Sequence, residues 1–223
     1  IPKTSLLTLP EFKFKTAIDD AVSVIQTIHP DGLMMFAHST KEKINTEGFL
    51  AGFGDSTLTE EMLIQVVYQE PCEDGLFWLL NEVAGLEPNQ HASIRNDMIS
   101  SYEWGLIESD EQSLDEQYPL LMELKLPLFA AVYSGGKSIH AFVHIGASNA
   151  EEYAERMLKL YEYAEANGLK PDKACKSLSR WCRFPFAKRG EKRQYPVIVN
   201  KEYMTYEQWA AQIAVSPSDA IPM

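Results

Sequence analysis

Basic residues, cysteines and long apolar stretches are all scarce in this 223-residue sequence. It contains 20 Lys and Arg against 32 Asp and Glu, which gives a formal net charge of −12 at pH 7. This balance argues against broad electrostatic capture of nucleic acid, because neutralising phosphates requires clustered Lys and Arg. The apolar runs are short and interrupted, so neither a membrane span nor a membrane partner is expected.

The three cysteines, Cys72, Cys175 and Cys182, are an odd number without the spacing of a compact zinc module. A zinc site that combines Cys175 and Cys182 with His140 or His144 is disfavoured for the same reason. Few and unpatterned cysteines predict a reduced, cytoplasmic environment. The sequence begins without an initiator Met or a signal-peptide pattern, and it reads as a piece of a longer protein.

The hydropathy pattern alternates between helices and strands over a chain long enough for one sizeable domain. Ser113 and Glu116 have the spacing of a capping box, and Ser148 is expected to cap a longer helix that stops at Gly168. Predicted helices cover residues 17–28, 60–69, 94–100, 114–124, 150–166 and 206–213, and predicted strands cover 33–37, 75–81, 102–109, 130–133, 139–145 and 195–199. The fold class is α+β with a mixed or antiparallel sheet.

Glu108 and Asp110 form an acidic pair on one of these predicted strands. Because residues i and i+2 of a strand point to the same face, the two carboxylates are expected to project together, roughly 7 Å apart. Such a pair can share a hard divalent cation. Taken alone, an acidic pair near a strand end is more often a solvated edge.

A glycine-rich turn over residues 134–138 separates two predicted strands and carries Lys137, Ser138 and His140. A lysine, a hydroxyl and a histidine are groups that can hold a triphosphate carried by a metal ion. The turn is not a Walker A loop, because the leading glycine of that motif would fall on Ala131. By itself it would be read as an ordinary hairpin turn, but beside the acidic pair it suggests metal-dependent nucleotidyl transfer.

The basic residues are concentrated in residues 170–193, which form the one plausible phosphate-contacting surface. Arg180 and Arg183 lie three positions apart, so on a helix or turn they would share a side. Arginine is favoured for bidentate phosphate contacts. The competing interpretation is a solvated basic face, with tight DNA binding supplied elsewhere in the parent protein.

The order and spacing of these motifs resemble the primase domain of phage- and mobile-element-encoded DNA primases, within the archaeo-eukaryotic primase superfamily. The resemblance covers about residues 75–200 and rests on short motifs at residues 108–111, 116–117, 126–127, 134–141 and 179–185. Relatives typically read Ser-Arg-Leu-Ser-Arg-Leu-Pro-Gly at the last of these. This chain departs from them at Trp181, Cys182 and residues 184–186, but keeps both arginines.

The resemblance implies an RRM-like catalytic sheet with flanking helices. We expect a primase-polymerase catalytic domain over residues 71–215, with an N-terminal α/β subdomain over residues 1–70 packed on it. Residues 216–223 are expected to be a tail or linker. The implied activity is synthesis of primers or DNA from NTPs or dNTPs on a single-stranded DNA template, in phage or mobile-element replication. A helicase domain or subunit in the parent protein is the implied partner.

The site residues follow from the same resemblance. Glu108, Asp110 and a later acid would bind two Mg²⁺ or Mn²⁺ ions, which activate a 3′-hydroxyl and neutralise the leaving pyrophosphate. Asp172 is the best candidate for the later acid, although its position also suits a helix cap. His140 would act in catalysis and, with Ser138, bind the phosphates of the incoming nucleotide. The three cations that would assist are Lys137, Arg180 and Arg183.

Two other functions remain open. A non-catalytic module for single-stranded nucleic-acid binding or replication initiation could keep the same sheet. A metal site of the same composition could also hydrolyse phosphodiesters, because two-metal carboxylate sites serve both reactions. The complete set of two acids, a Ser-x-His and a downstream acid favours transfer over a binding module, which would have little reason to retain it.

Overall fold

The computed structural model describes residues 7–31, 33–38, 47–52, 61, 63–64, 74–87 and 90–215. Four helices have both ends in this part of the chain: α1 (Phe14–Ile28), α2 (Leu114–Glu123), α3 (Ala150–Ala166) and α4 (Tyr206–Val215). The strands are β1 (Leu33–His38), β2 (Glu47–Gly52), β3 (Leu76–Trp78), β4 (His91–Ser93), β5 (Trp104–Ile107), β6 (Leu128–Tyr133), β7 (Ile139–His144), β8 (Cys182–Arg183), β9 (Ala187–Arg189) and β10 (Lys192–Val199). Two short 3₁₀ helices span Asn96–Met98 and Lys173–Lys176. None of the helices described is both long enough and apolar enough to cross a bilayer.

The strands form two five-stranded sheets with antiparallel pairing. The strand order is β4-β2-β1-β3-β8 in the first sheet and β5-β7-β6-β10-β9 in the second. The predicted α+β class is confirmed, with antiparallel rather than mixed sheets. The first sheet joins β1 and β2 to three strands that follow residue 74, so it spans the predicted boundary at residue 70.

Among the described residues, the main hydrophobic cluster joins both sheets and the helices, and a small second cluster contains Met35, Leu79 and Ile99. The rings of Trp78 in β3 and Phe142 in β7 meet edge to face, with centroids 5.9 Å apart. Phe184, directly after β8, packs against the same Trp78 at 5.4 Å. Helix α1 packs against β10 and buries Ala17, Ile18, Ala21, Val24, Ile25 and Ile28. This spacing places all six on one helix face, as expected for an amphipathic helix.

Local signals in the sequence located the starts of α2, α3 and α4, whereas α1 begins at Phe14, three residues before its predicted start. The capping box of α2 forms as predicted, with Glu116 reaching back to Ser113. Helix α3, however, is capped by Asn149, whose side-chain oxygen accepts the main-chain N–H groups of residues 151 and 152. The prediction of Ser148 as the cap was therefore wrong by one residue, since asparagine is an equally good N-cap. Gly168 follows α3 with φ of +93°, which suits the predicted glycine stop.

Several predicted elements are shorter in the structure, and some strands were not predicted at all. Strand β5 ends at Ile107, so the acidic pair follows the strand rather than lying on it. The predicted helix 94–100 is reduced to the three-residue 3₁₀ helix. Of the predicted helix 60–69, residues 61, 63 and 64 are helical and the others lie outside the described residues, as does the predicted tail 216–223. The strands that the sequence did not predict are β2, β4, β8 and β9.

Candidate active site

A cleft of about 430 Å³ is lined by residues from both sheets. The first sheet contributes Phe77 from β3 and Arg183 from β8, and the second contributes His140 from β7. Every site residue predicted from the sequence lines this cleft except Asp172, which lies beside it in contact with Arg180. The structure therefore brings together side chains that are far apart in the sequence.

Glu108 forms the floor of the cleft, with its side chain only 7% exposed. One carboxylate oxygen, Oε2, lies 2.7 Å from His140 Nε2 and 3.4 Å from the Ser138 hydroxyl. The other, Oε1, accepts from the Cys175 thiol at 3.0 Å and lies 3.4 Å from Arg180 Nη2. Four donors thus converge on one buried carboxylate, as a charge in a protein interior requires.

These donors keep the Glu108 carboxylate ionised. Burial by itself would raise the pKa of Glu108, but the adjacent His140, the Cys175 thiol and the charge of Arg180 outweigh burial and hold that pKa well below its usual range. Burial, and then the nearby Glu108 charge, raise the pKa of the Cys175 thiol. The floor therefore consists of an ionised carboxylate that accepts from a protonated thiol.

His140 is oriented by both of its ring nitrogens. Its Nδ1 accepts the main-chain N–H of Arg183 at 3.2 Å, and its Nε2, which carries a ring proton, donates to Glu108 at 2.7 Å. In this arrangement the histidine positions the carboxylate. Its predicted part in catalysis and phosphate binding stays a prediction.

Asp172 serves as a helix cap and as a member of the acidic cluster at once. Its Oδ1 accepts the main-chain N–H of Ala174 at the start of the second 3₁₀ helix, at 3.0 Å. Its Oδ2 lies 3.4 Å from Arg180 Nη2, and its main-chain N–H donates to the Glu108 carbonyl at 2.8 Å. Ligand atoms of Glu108, Asp172 and Cys175 lie within 4.8 Å of one another.

Asp110 lies at the rim of the cleft rather than on its floor. Its side chain is 50% exposed and pairs with Lys137 Nζ at 3.4 Å. The expectation that Glu108 and Asp110 project together from one strand face is not met, because β5 ends before both residues and the strand alternation does not extend to them. The two acids still line the same cleft.

The glycine-rich turn is the predicted hairpin between β6 and β7. Gly135 has φ of +70°, and the Ser134 hydroxyl accepts the main-chain N–H groups of Gly136 and Ser138. Gln117 of α2 supports the hairpin from outside, because its side chain donates to the Lys137 carbonyl at 3.0 Å and accepts from the Ile139 N–H at 2.9 Å. The turn is thus fixed independently of any ligand.

Three arginines of the basic stretch reach the cleft: Arg180, Arg183 and Arg189. The guanidinium of Arg183 lies 3.9 Å above the Phe77 ring and donates to the Asp74 carbonyl at 2.8 Å. Burial, and then the charge of Arg189, lower the pKa of Arg183 to about 9, so Arg183 remains a cation at neutral pH. Its direct contacts are a ring and a main-chain carbonyl, and the charges of Glu108 and Asp74 offset its own only in part, so its charge can still act on an anion in the cleft.

The lysines of that stretch behave differently. Lys173 pairs with Glu165, and Lys176 lies over the ring of Tyr161. Lys188 does not line the cleft and is exposed. The basic run 170–193 is therefore a phosphate-contacting candidate only through its arginines, whereas these lysines match the solvated-face interpretation.

The residues present suit Mg²⁺ or Mn²⁺. The carboxylates of Glu108 and Asp172 offer the oxygen ligands that hard divalent cations prefer, and Asp110 lines the same cleft. The guanidinium of Arg180 already lies near both carboxylates, which indicates that a positive group is stable there. Cys175 is a protonated thiol and a poor ligand for such a cation, so its contribution is the hydrogen bond to Glu108.

Besides Arg189, which the sequence offered only as part of the basic run, sequence reasoning missed two functional neighbours of the site. Cys175 was weighed only as a zinc ligand, since a single cysteine carries no pattern that relates it to Glu108, 67 positions away. Gln117 was noticed within a short motif, but nothing in the sequence indicated that it holds the hairpin. Both contacts depend on the packing of distant segments.

Comparison with known proteins supports the fold. No protein-family model and no curated protein matches the chain. Among solved structures, the AEP domain of the primase-polymerase (PrimPol) of cyanophage S-2L is similar, with a TM-score of 0.55 and 14% sequence identity. The match covers 86% of this chain and 96% of the cyanophage domain. The chain therefore has the fold of a primase-polymerase AEP domain, as the motif resemblance predicted.

Proposed function

We propose that this chain is the catalytic domain of a DNA primase-polymerase, which transfers nucleotides onto a 3′-hydroxyl along a single-stranded DNA template. The observation that carries the proposal is the cleft, where an acidic cluster, a rigid hairpin with a Ser-x-His and three arginines face one volume. The likeness to a phage primase-polymerase fold supports it. NTPs or dNTPs are the proposed substrates, and a helicase partner, a phage or mobile-element origin and a cytoplasmic location stay predictions.

In this proposal the acidic residues of the cleft bind the metal ion, and their neighbours keep them charged and oriented. Glu108, Asp172 and Asp110 would hold Mg²⁺ or Mn²⁺, which when bound supplies charge neutralisation for the triphosphate and the attacking hydroxyl. The His140 N–H and the Cys175 thiol keep Glu108 ionised and oriented. Positioning of this kind is the main protein contribution to phosphoryl transfer.

The phosphate side of the cleft is cationic although the whole chain carries −12. Arg183 is fixed against Phe77, and Arg189 donates to the Ser134 carbonyl at 2.9 Å, so both guanidinium groups are held before a nucleotide arrives. Lys137, on the hairpin, lines the same cleft and pairs with Asp110. Prepositioned cations lower the entropic cost of triphosphate binding.

The test is synthesis on single-stranded DNA with labelled nucleotides and Mn²⁺, comparing the wild type with Asp110→Asn and Asp172→Asn. Products from the wild type and none from the variants would support a metal-dependent primase-polymerase. Glu123→Gln, an exposed acid at the end of α2, is the matched control and should retain activity.

If no product forms even on an annealed primer, the catalytic proposal is contradicted, and a single-strand binding module becomes the better account. Such a module would bind single-stranded DNA equally well with and without Asp110. Shortening of the DNA instead of extension would identify phosphodiester hydrolysis.

A further inference from the structure

Arg180 lies between the two carboxylates expected to bind the metal ion. Its Nη2 is 3.4 Å from Glu108 Oε1 and also 3.4 Å from Asp172 Oδ2. Both distances exceed the roughly 2.7–2.9 Å of a strong charge-assisted hydrogen bond. The guanidinium therefore forms a loose cationic bridge.

The other partners of these carboxylates are much less free to leave. His140 is 6% exposed and lies 2.7 Å from Glu108, and Cys175 is fully buried. Asp172 Oδ1 is engaged in capping the 3₁₀ helix. Arg180, in contrast, is 37% exposed, and its buried Nε has no hydrogen-bond partner among the described residues. Of the charged donors to Glu108 and Asp172, Arg180 is the most exposed and lies at the longest distance, whereas the Ser138 hydroxyl, also 3.4 Å from Glu108, is buried.

A guanidinium and a divalent cation compete for the same carboxylate oxygens, here Glu108 Oε1 and Asp172 Oδ2, because the two cations repel each other at close range. A released Arg180 would still line the cleft with Lys137 and Arg183. We propose that Arg180 and the divalent cation exchange at Glu108 and Asp172, and that the released guanidinium then binds the triphosphate of the nucleotide. The inference rests on the proposed function, and it makes metal binding and nucleotide binding favour each other.

The first measurement is the affinity for Mn²⁺ alone, without nucleotide, from the electron paramagnetic resonance signal of the free ion. Arg180→Met removes the competing cation and should bind Mn²⁺ about tenfold more tightly than the wild type. Arg180→Lys keeps a positive charge but loses the planar fork, so it should fall between the two. Arg95→Met is the matched control, because Arg95 is exposed, pairs with Asp97 and does not line the cleft, and the Mn²⁺ affinity of this variant should be unchanged.

The second measurement is calorimetric binding of tripolyphosphate in excess Mg²⁺. Arg180→Met should weaken this binding about tenfold, opposite in sign to its effect on Mn²⁺. Thermal unfolding first establishes that each variant is folded, and Arg180→Gln replaces the methionine variant if that one is not.

If Arg180→Met is folded but binds Mn²⁺ no more tightly than the wild type, the proposed exchange is wrong. The proposed metal site would not be contradicted by that result. Unchanged tripolyphosphate binding would overturn the second half of the proposal. A wild type and variants that all fail to bind Mn²⁺ would instead contradict the proposed function, and the exchange with it.

Discussion

The floor and the rim of the cleft present the same chemical group in two very different settings. Glu108 is buried and accepts from four side chains, whereas Asp110, two residues later, is half exposed and pairs with Lys137. Burial with several donors holds the Glu108 charge in one place, while the rim acid keeps its freedom to turn towards a ligand. The comparison indicates that two acids of one short motif can differ in mobility: the side chain of Glu108 is fixed, and that of Asp110 can change its orientation.

The largest expected effect tests whether both acids belong to one catalytic unit. Glu108→Gln and Asp110→Asn should each lower the rate of primer extension with Mn²⁺ by at least about 1,000-fold, because metal-bound charge contributes several kcal/mol to the transition state. Single-turnover extension of an annealed primer measures this. An Asp110→Asn enzyme with near-normal rates would leave Glu108 and Asp172 as the functional pair.

The pH dependence of the free energy of unfolding distinguishes Glu108, a buried group with ionic partners, from His29, a buried group with a main-chain carbonyl as its hydrogen-bond partner. His29 is buried, with Nε2 2.8 Å from the Leu79 carbonyl, and burial lowers its pKa to about 4 despite that hydrogen bond. The unfolded chain therefore binds more protons between about pH 6.5 and pH 4, and stability should fall by about 3 kcal/mol as the pH drops through that window. Glu108 has a lowered pKa, so its contribution is present above the ordinary glutamate pKa and is lost only in more acidic solution.

Urea unfolding at several pH values gives the free energy of unfolding of the wild type and of His29→Gln. Between pH 6.5 and pH 4, this free energy should change less with pH in the variant than in the wild type. Identical slopes for the two proteins would mean that His29 does not remain neutral in the folded state.

The next effect concerns stability rather than activity. Glu108→Gln removes the charge that His140, Cys175 and Arg180 surround, and should lower the free energy of unfolding at pH 7 by about 2 kcal/mol. Asp110→Asn breaks one exposed ion pair and should cost less than about 0.5 kcal/mol. Denaturant unfolding compares the two, and equal losses would remove the distinction between floor and rim.

The smallest expected effect is a change in nucleotide KM, and it compares a deep cation, Arg183, with a rim cation, Lys137. Arg183→Met should raise the nucleotide KM about tenfold, because Arg183 is fixed on Phe77 and its charge is available to an anion. Lys137→Met should raise it only about twofold, since Lys137 is 72% exposed and already paired. The reverse order would show that the rim, rather than the deep arginine, holds the triphosphate.

Signals that act over a few residues predicted a large part of this molecule. The capping box at Ser113, the hairpin around Gly135 and the approximate extent of α3 follow from local rules. The motif resemblance predicted the primase-polymerase fold, and the predicted site residues, which lie up to 75 positions apart from Glu108 to Arg183, meet in or beside one cleft. The prediction of the fold depended on the identities and order of these side chains and not on their exact secondary structure.

What the sequence did not predict depends on contacts between distant segments. Strand β8 has two residues, and it exists because it pairs with β3 about a hundred residues earlier. The depth of Glu108 and the role of Cys175 depend on the loop that follows α3, where Asp172 hydrogen-bonds back to the Glu108 main chain. No periodicity or spacing in a single sequence encodes such pairings.

Anomalous diffraction from crystals of the domain soaked with Mn²⁺ tests the central claim most directly. The account predicts an anomalous peak bound by carboxylate oxygens of Glu108 and Asp172, with the guanidinium of Arg180 moved away from them. A well-occupied Mn²⁺ elsewhere on the domain, with Glu108 still held by Arg180 and no peak in the cleft, would contradict it.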